Sequence, residues 1–206
     1  MLERFPFSDR LAVLAGLMAL GALLDLSLHG RAATRYQEYT FVWFTGLLGC
    51  LAGATTDLIT CSISPDYFRL GKGVSGGEGF AFRVAVFGIQ EGLSAGVIAG
   101  ALCLYVSRRK TKFAPLGYPE LLGLLWMPVV CAFAGALLFP LVAGRSDPAG
   151  LALKMDGVLP AAQAPPFLRV WWIHTGLYCG LLAGVIWLIV VALKRRKARA
   201  GMAAGV

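Results

Sequence analysis

Residues Val84–Val106 read VAVFGIQEGLSAGVIAGALCLYV. Twenty-three residues in succession carry one formal charge, at Glu91. At ~1.5 Å per residue, a helix of this length covers the ~30 Å hydrocarbon layer of a bilayer. Glycines fall at 88, 92, 96 and 100, one every four residues, so they share a face of that helix. A face without side chains lets a second backbone approach closely, which in lipid substitutes for the missing hydrophobic drive. The stretch predicts a membrane-spanning helix packed through a glycine stripe, with one carboxylate sunk into it.

The rest of the 206-residue chain agrees with this reading. Hydrophobic residues make up 58% and charged residues 15%, against roughly 45–50% and 25% in soluble domains. Disorder is excluded, because it needs low hydrophobicity and high charge. Further apolar segments run over about 11–28, 41–62, 121–143 and 170–193. The expected fold is an all-α polytopic membrane helix bundle of five transmembrane helices, one membrane domain over 1–206. Four spans plus a surface helix is the alternative, since 11–28 is short and carries Asp25. Arg4 and Arg10 ahead of that segment also suit a signal peptide. Asp25, His29 and Arg31, however, crowd the place of a small-residue cleavage site, so a retained span is expected.

Segment five repeats the glycine interval at Gly176, Gly180 and Gly184, and segment two contributes Gly49 and Gly53. Segments three and five are therefore expected to pack tightly together, with segment two as a further neighbour. The alternative is a homo-oligomer or membrane complex joined through Gly92, Gly96, Gly100, Gly176, Gly180 and Gly184. Pro128 is expected to kink segment four or free a carbonyl there. The five cysteines form no CxxC pair and read as small buried hydrophobes.

The net charge is +8. In a soluble chain that would raise nucleic acid as a partner. Here the basic residues flank apolar runs, and the positive-inside effect accounts for them without nucleic acid. Arg108, Arg109, Lys110 and Lys112 fill one loop; Lys194, Arg195, Arg196, Lys197 and Arg199 fill the tail. Placing both inside puts eleven basic residues there, counting Arg31 and Arg35, against eight outside. The N-terminus is then outside and the C-terminus cytoplasmic. Residues 63–83 and 144–169 are outer loops, too short for folded domains of their own. The first is rich in glycine but lacks the GxxxxGK[ST] spacing of a phosphate loop.

Ionisable groups at membrane depth usually face a partner or a wet cavity. Besides Asp25, these are Asp57, Glu91 and His174, with Gln90, Thr56, Thr60 and Tyr178 nearby. In the orientation above, Asp57, Glu91 and His174 each lie roughly 7–12 Å below the outer boundary. The candidate polar site is Asp57, Glu91, His174, Tyr178, Thr60 and Gln90. Three uses are open: a polar knot that fixes helix register, a proton or ion relay through His174, and a divalent transition metal on Asp57, Glu91 and His174. Gly92-Leu93-Ser94-Ala95-Gly96 also matches G-x-S-x-G. That motif belongs to a strand–turn–helix elbow, whereas here it lies in an apolar helix. An intramembrane hydrolase pairing Ser94 with His174 is thus a lesser alternative.

Residues 57–68, DLITCSISPDYF, resemble a block in a family of small uncharacterised bacterial integral membrane proteins, D-x-[IV]-T-x-x-[IV]-S-P-[DE]-Y-F. In that family the last span often carries H-x-x-x-Y-x-x-G, which His174, Tyr178 and Gly180 nearly fit. The resemblance implies a bacterial inner (cytoplasmic) membrane and assigns no activity. Physically, Ser64 suits a helix cap, Pro65 a first position and Asp66 a first turn. Tyr67 and Phe68 suit the headgroup interface. Ser64–Leu70 is read as a short surface turn, either an interfacial anchor or a lid over Asp57. The leading function is handling of an ion, proton or small solute near the outer face; the alternative is a structural or assembly subunit.

Overall fold

The computed structural model describes residues 7–108, 114–143 and 158–204, and no strand occurs among them. Helix α1 runs over Phe7–His29, α2 over Arg35–Ile63 and α3 over Phe80–Arg108. A π-helical turn, Tyr67–Gly71, lies between α2 and α3. A short α4 (Tyr118–Leu122) precedes α5 (Trp126–Ala143), and α6 (Ala164–Ala204) is the longest helix. Five helical stretches are long and apolar enough to cross a membrane: Leu11–Ala32, Arg35–Ile63, Phe80–Arg108, Tyr118–Ala143 and Ala161–Ala200. They contain the five apolar segments read from the sequence. The fifth grows most, to 41 residues and about 60 Å. Its basic extension is made of good helix formers, so the helix does not stop where the apolar run does.

Two helix pairs form the body: α2 lies along α3, and α5 along α6. Gly49 and Gly53 face Gly92 and Gly88, so a Cβ on any of the four would collide with the opposite backbone. Gly96 and Gly100 meet Thr45. In the second pair Gly135 faces Gly176, Gly180 meets Cys131 and Gly184 meets Pro128. The expected tight packing of segment three on segment five is therefore corrected, because α3 and α6 touch only locally. Each stripe finds small residues on the neighbouring helix in sequence. All six glycines considered for an outside partner meet the chain's own atoms.

Helix α1 leans on α2 with Gly21 under the Tyr39 hydroxyl, and its apolar window buries nothing. Asp25 has a structural task. Its Oδ2 accepts the backbone N–H groups of Thr34 at 2.8 Å and Arg35 at 2.9 Å. Those are amides at the start of α2 that no preceding turn can satisfy.

The interruption expected from Pro128 falls in the turn that precedes it. The apolar segment breaks earlier, at 123–125, and α5 restarts at Trp126 with Pro128 in its first turn. A proline there forfeits no helical hydrogen bond. At the opposite end from the polar residues, Arg196 is 1% exposed. Its Nη1 donates to the Val106 carbonyl at 3.1 Å and its Nε to the Ala114 carbonyl at 3.1 Å. One residue of the basic tail thus closes the last turn of α3, whose final carbonyls lack helical donors. Arg199 pairs with Glu120. Arg109, Lys110, Lys112, Arg145 and Lys154 lie outside the described residues.

Candidate functional site

Asp57 and Thr60 project from α2, Glu91 from α3, and His174 and Tyr178 from α6. Asp57 is 3% and His174 2% exposed. The His174 Nε2 atom stands 3.2 Å from Thr60 Oγ1 and 3.7 Å from Asp57 Oδ1. The Thr60 hydroxyl donates to the Thr56 carbonyl at 2.8 Å. With its hydrogen committed there, Thr60 Oγ1 accepts from the ring. The network therefore assigns the imidazole hydrogen to Nε2 and leaves a lone pair on Nδ1. No hydrogen-bond partner among the described residues reaches Nδ1, and none reaches Asp57 Oδ2.

The loop after α2 roofs this pair. Ser64 closes α2, its N–H donating to Thr60 O at 3.0 Å, and its carbonyl accepts the Tyr67 N–H at 3.3 Å. The Tyr67 ring then stacks on His174, centroids 4.9 Å apart and planes at 28°. Phe68 meets the imidazole edge-on at 6.0 Å, and Phe167 packs against Tyr67 at 5.4 Å. Tyr67 and Phe68 are buried, so the surface position expected for them is corrected: the two aromatics turn inward onto His174. Burial lifts the Tyr67 phenol above its ordinary range, with the Glu91 and Asp57 carboxylates adding to the effect.

Glu91 belongs to a second cluster. Its Oε2 accepts from the Tyr178 hydroxyl at 2.9 Å, and Lys72 Nζ donates to Oε1 at 2.6 Å and Oε2 at 2.8 Å. The ammonium also lies 5.3 Å from the Phe87 ring centroid. Lys72 lies in the 63–83 loop and is not among the candidate site residues read from the sequence. The available signal was a lysine between two glycines, just past the buried aromatics. Its loop is shaped by Arg83, whose guanidinium donates to the carbonyls of Ser75, Gly76, Gly77 and Glu78 at 2.8–3.3 Å. Gly77, at φ +95°, makes the reversal this requires.

Between the two helix pairs lies a cavity of about 110 Å³. Asp57, Glu91, His174 and Tyr178 line its polar end; Ala52, Ala95, Val129, Phe133, Leu181 and Val185 line the remainder. Gln90 does not line it. Ser94 is exposed, donates to the Gln90 carbonyl at 2.9 Å, and does not line it either. The cavity thus presents no serine–histidine pair of the hydrolytic kind. Among the described residues no three His, Cys, Asp or Glu side chains stand close enough to hold a metal ion. Asp57 and His174 adjoin each other, while the carboxylate of Glu91 pairs with the Lys72 ammonium. The chain matches no protein-family model, no curated protein and no solved structure.

Proposed function

We propose that this chain is a multi-pass protein of the bacterial inner membrane, C-terminus cytoplasmic, that binds a small amphiphilic solute between its two helix pairs. The observation that carries this reading is the cavity itself. One end offers buried acceptors and charged groups, and the rest offers hydrocarbon and aromatic walls. Ligand sites are commonly apolar clefts with a few convergent polar groups. In lipid, ionisable groups turned toward such a space mark a pathway or binding site. The glycine contacts inside each pair serve as close helix packing in the bilayer. They leave the seam between the pairs to the solute. Asp57, Thr60, Tyr67 and Phe68, all within residues 57–68, gather around His174 at the polar end.

The test is ligand-dependent stabilisation of the protein in lipid nanodiscs, using a panel of eight-carbon amphiphiles. At least one should raise the melting temperature saturably in the wild type. Ala95→Phe, which fills the cavity from α3, should abolish the rise. A panel without effect, or an equal effect on Ala95→Phe, rejects the reading.

A further inference from the structure

The cavity has a preference built into its polar end, and we infer that its occupant carries a cationic hydrogen-bond donor, an alkylamine being the simplest chemistry of that class. The inference rests on the solute-binding reading above and adds the chemistry of the solute. Two buried atoms at the polar end, Asp57 Oδ2 and His174 Nδ1, meet no donor among the described residues. Both are acceptors in the hydrogen-bond network just described, since the ring hydrogen sits on Nε2. A buried acceptor without a donor costs about 1–3 kcal/mol, more when it is charged. Two of them on residues lining one cavity ask for donors from whatever enters.

Charge points the same way. Glu91 is matched by Lys72 at 2.6 Å. Asp57 has the imidazole of His174 beside it, at 3.7 Å. Asp57 therefore has no cationic donor within hydrogen-bond distance, which leaves that place to a donor on the occupant. An anionic headgroup would meet Asp57 without a donor to receive it. A bare metal ion would leave the apolar walls uncovered, and the required ligand group is missing among the described residues. An ammonium on a short alkyl chain satisfies both ends: N–H donors for Asp57 Oδ2 and His174 Nδ1, hydrocarbon against Val129, Phe133 and Leu181.

The experiment compares octylamine, octanol and octanoate on the full chain in nanodiscs, with Ala95→Phe as the background for partition into lipid. Octylamine should stabilise the wild type at a concentration at least tenfold below octanol, and octanoate should have no effect beyond background. Asp57→Asn should remove the amine's advantage over octanol, with folding of the variant read from its circular dichroism and cooperative unfolding in the absence of ligand. In parallel, ¹⁵N-histidine spectra read the site directly, because the chain has only two histidines. Octylamine should move the Nδ1 resonance of His174 and leave that of His29 unchanged. If all three compounds bind equally, or the amine keeps its advantage in Asp57→Asn, the cation preference is wrong and the solute-binding reading stands. Should Asp57→Asn fail to fold, an unmoved Nδ1 resonance at saturating octylamine overturns the inference by itself. If none of the three binds, the solute-binding reading falls with it.

Discussion

Lys72 Nζ lies 2.6 Å from Glu91 Oε1, joining the glycine loop to the wall of α3. The side chains are 16% and 32% exposed, so water screens the pair only in part. Removing the ammonium leaves a half-buried carboxylate held by Tyr178 alone. Lys72→Met should therefore cost about 1–2 kcal/mol, below the 3–5 expected for a fully buried pair. The double variant Lys72→Met/Glu91→Gln should recover part of that loss. Thermal unfolding of the four proteins measures the coupling, and strictly additive losses would show that the contact does not hold the loop.

Close backbone contact sets a second expectation. A methyl group at Gly92 would collide with the carbonyl of Gly49, whereas one at Gly16 meets nothing within 4 Å. Gly92→Ala should destabilise the α2–α3 pair by about 1–3 kcal/mol, the usual cost of overpacking. Gly16→Ala should be neutral or gain up to ~1 kcal/mol from helix propensity. Equal melting temperatures for the two variants would contradict the pairing of α2 with α3.

At the other end of the molecule, Arg196 is 1% exposed and donates to two backbone carbonyls. Arg196→Ala should cost about 2–3 kcal/mol, the range for charged hydrogen bonds lost in a buried setting. Arg196→Lys should restore little, because an ammonium lacks the planar fork that reaches both carbonyls. Arg195, which is exposed, should tolerate alanine within ~0.5 kcal/mol. Hydrogen exchange at the last turn of α3 should rise only in the Arg196 variants.

The roof over His174 makes a chemical prediction. Diethyl pyrocarbonate modifies accessible neutral imidazole. His29 is exposed and His174 is 2% exposed. Peptide mapping should therefore find His29 modified quickly and His174 protected. Tyr67→Ala, which removes the stacked ring, should expose His174 to the reagent, while Tyr67→Phe should keep it protected. Rapid labelling of His174 in the wild type would show that the loop does not cover it.

The five helices were legible because hydropathy and length alone decide whether a segment can cross a bilayer. The meeting of Asp57 with His174 was legible as well, from their similar depth below one boundary. Glu91 shared that depth yet answers to Lys72, whose approach depends on a loop folding back, and no periodicity carries that information. Glycine spacing gave the face of each helix but not the partner, since α2, α3, α5 and α6 all offer small residues at compatible intervals. Arg196 looked like any other orienting cation; its burial follows from where α3 ends, a relation between segments far apart in the chain.

The length of α6 has a mechanical consequence. His174 and Arg196 sit on the same uninterrupted helix, about 33 Å apart along its axis. Sharp bends in helices arise at prolines, bulges or inserted groups, and no proline falls between these two residues. The helix is thus a stiff rod with one end in the cavity wall and the other locked to the end of α3. The helix backbone ties the position of the imidazole to the Arg196 anchor, and a displacement of either end has a continuous path to the other.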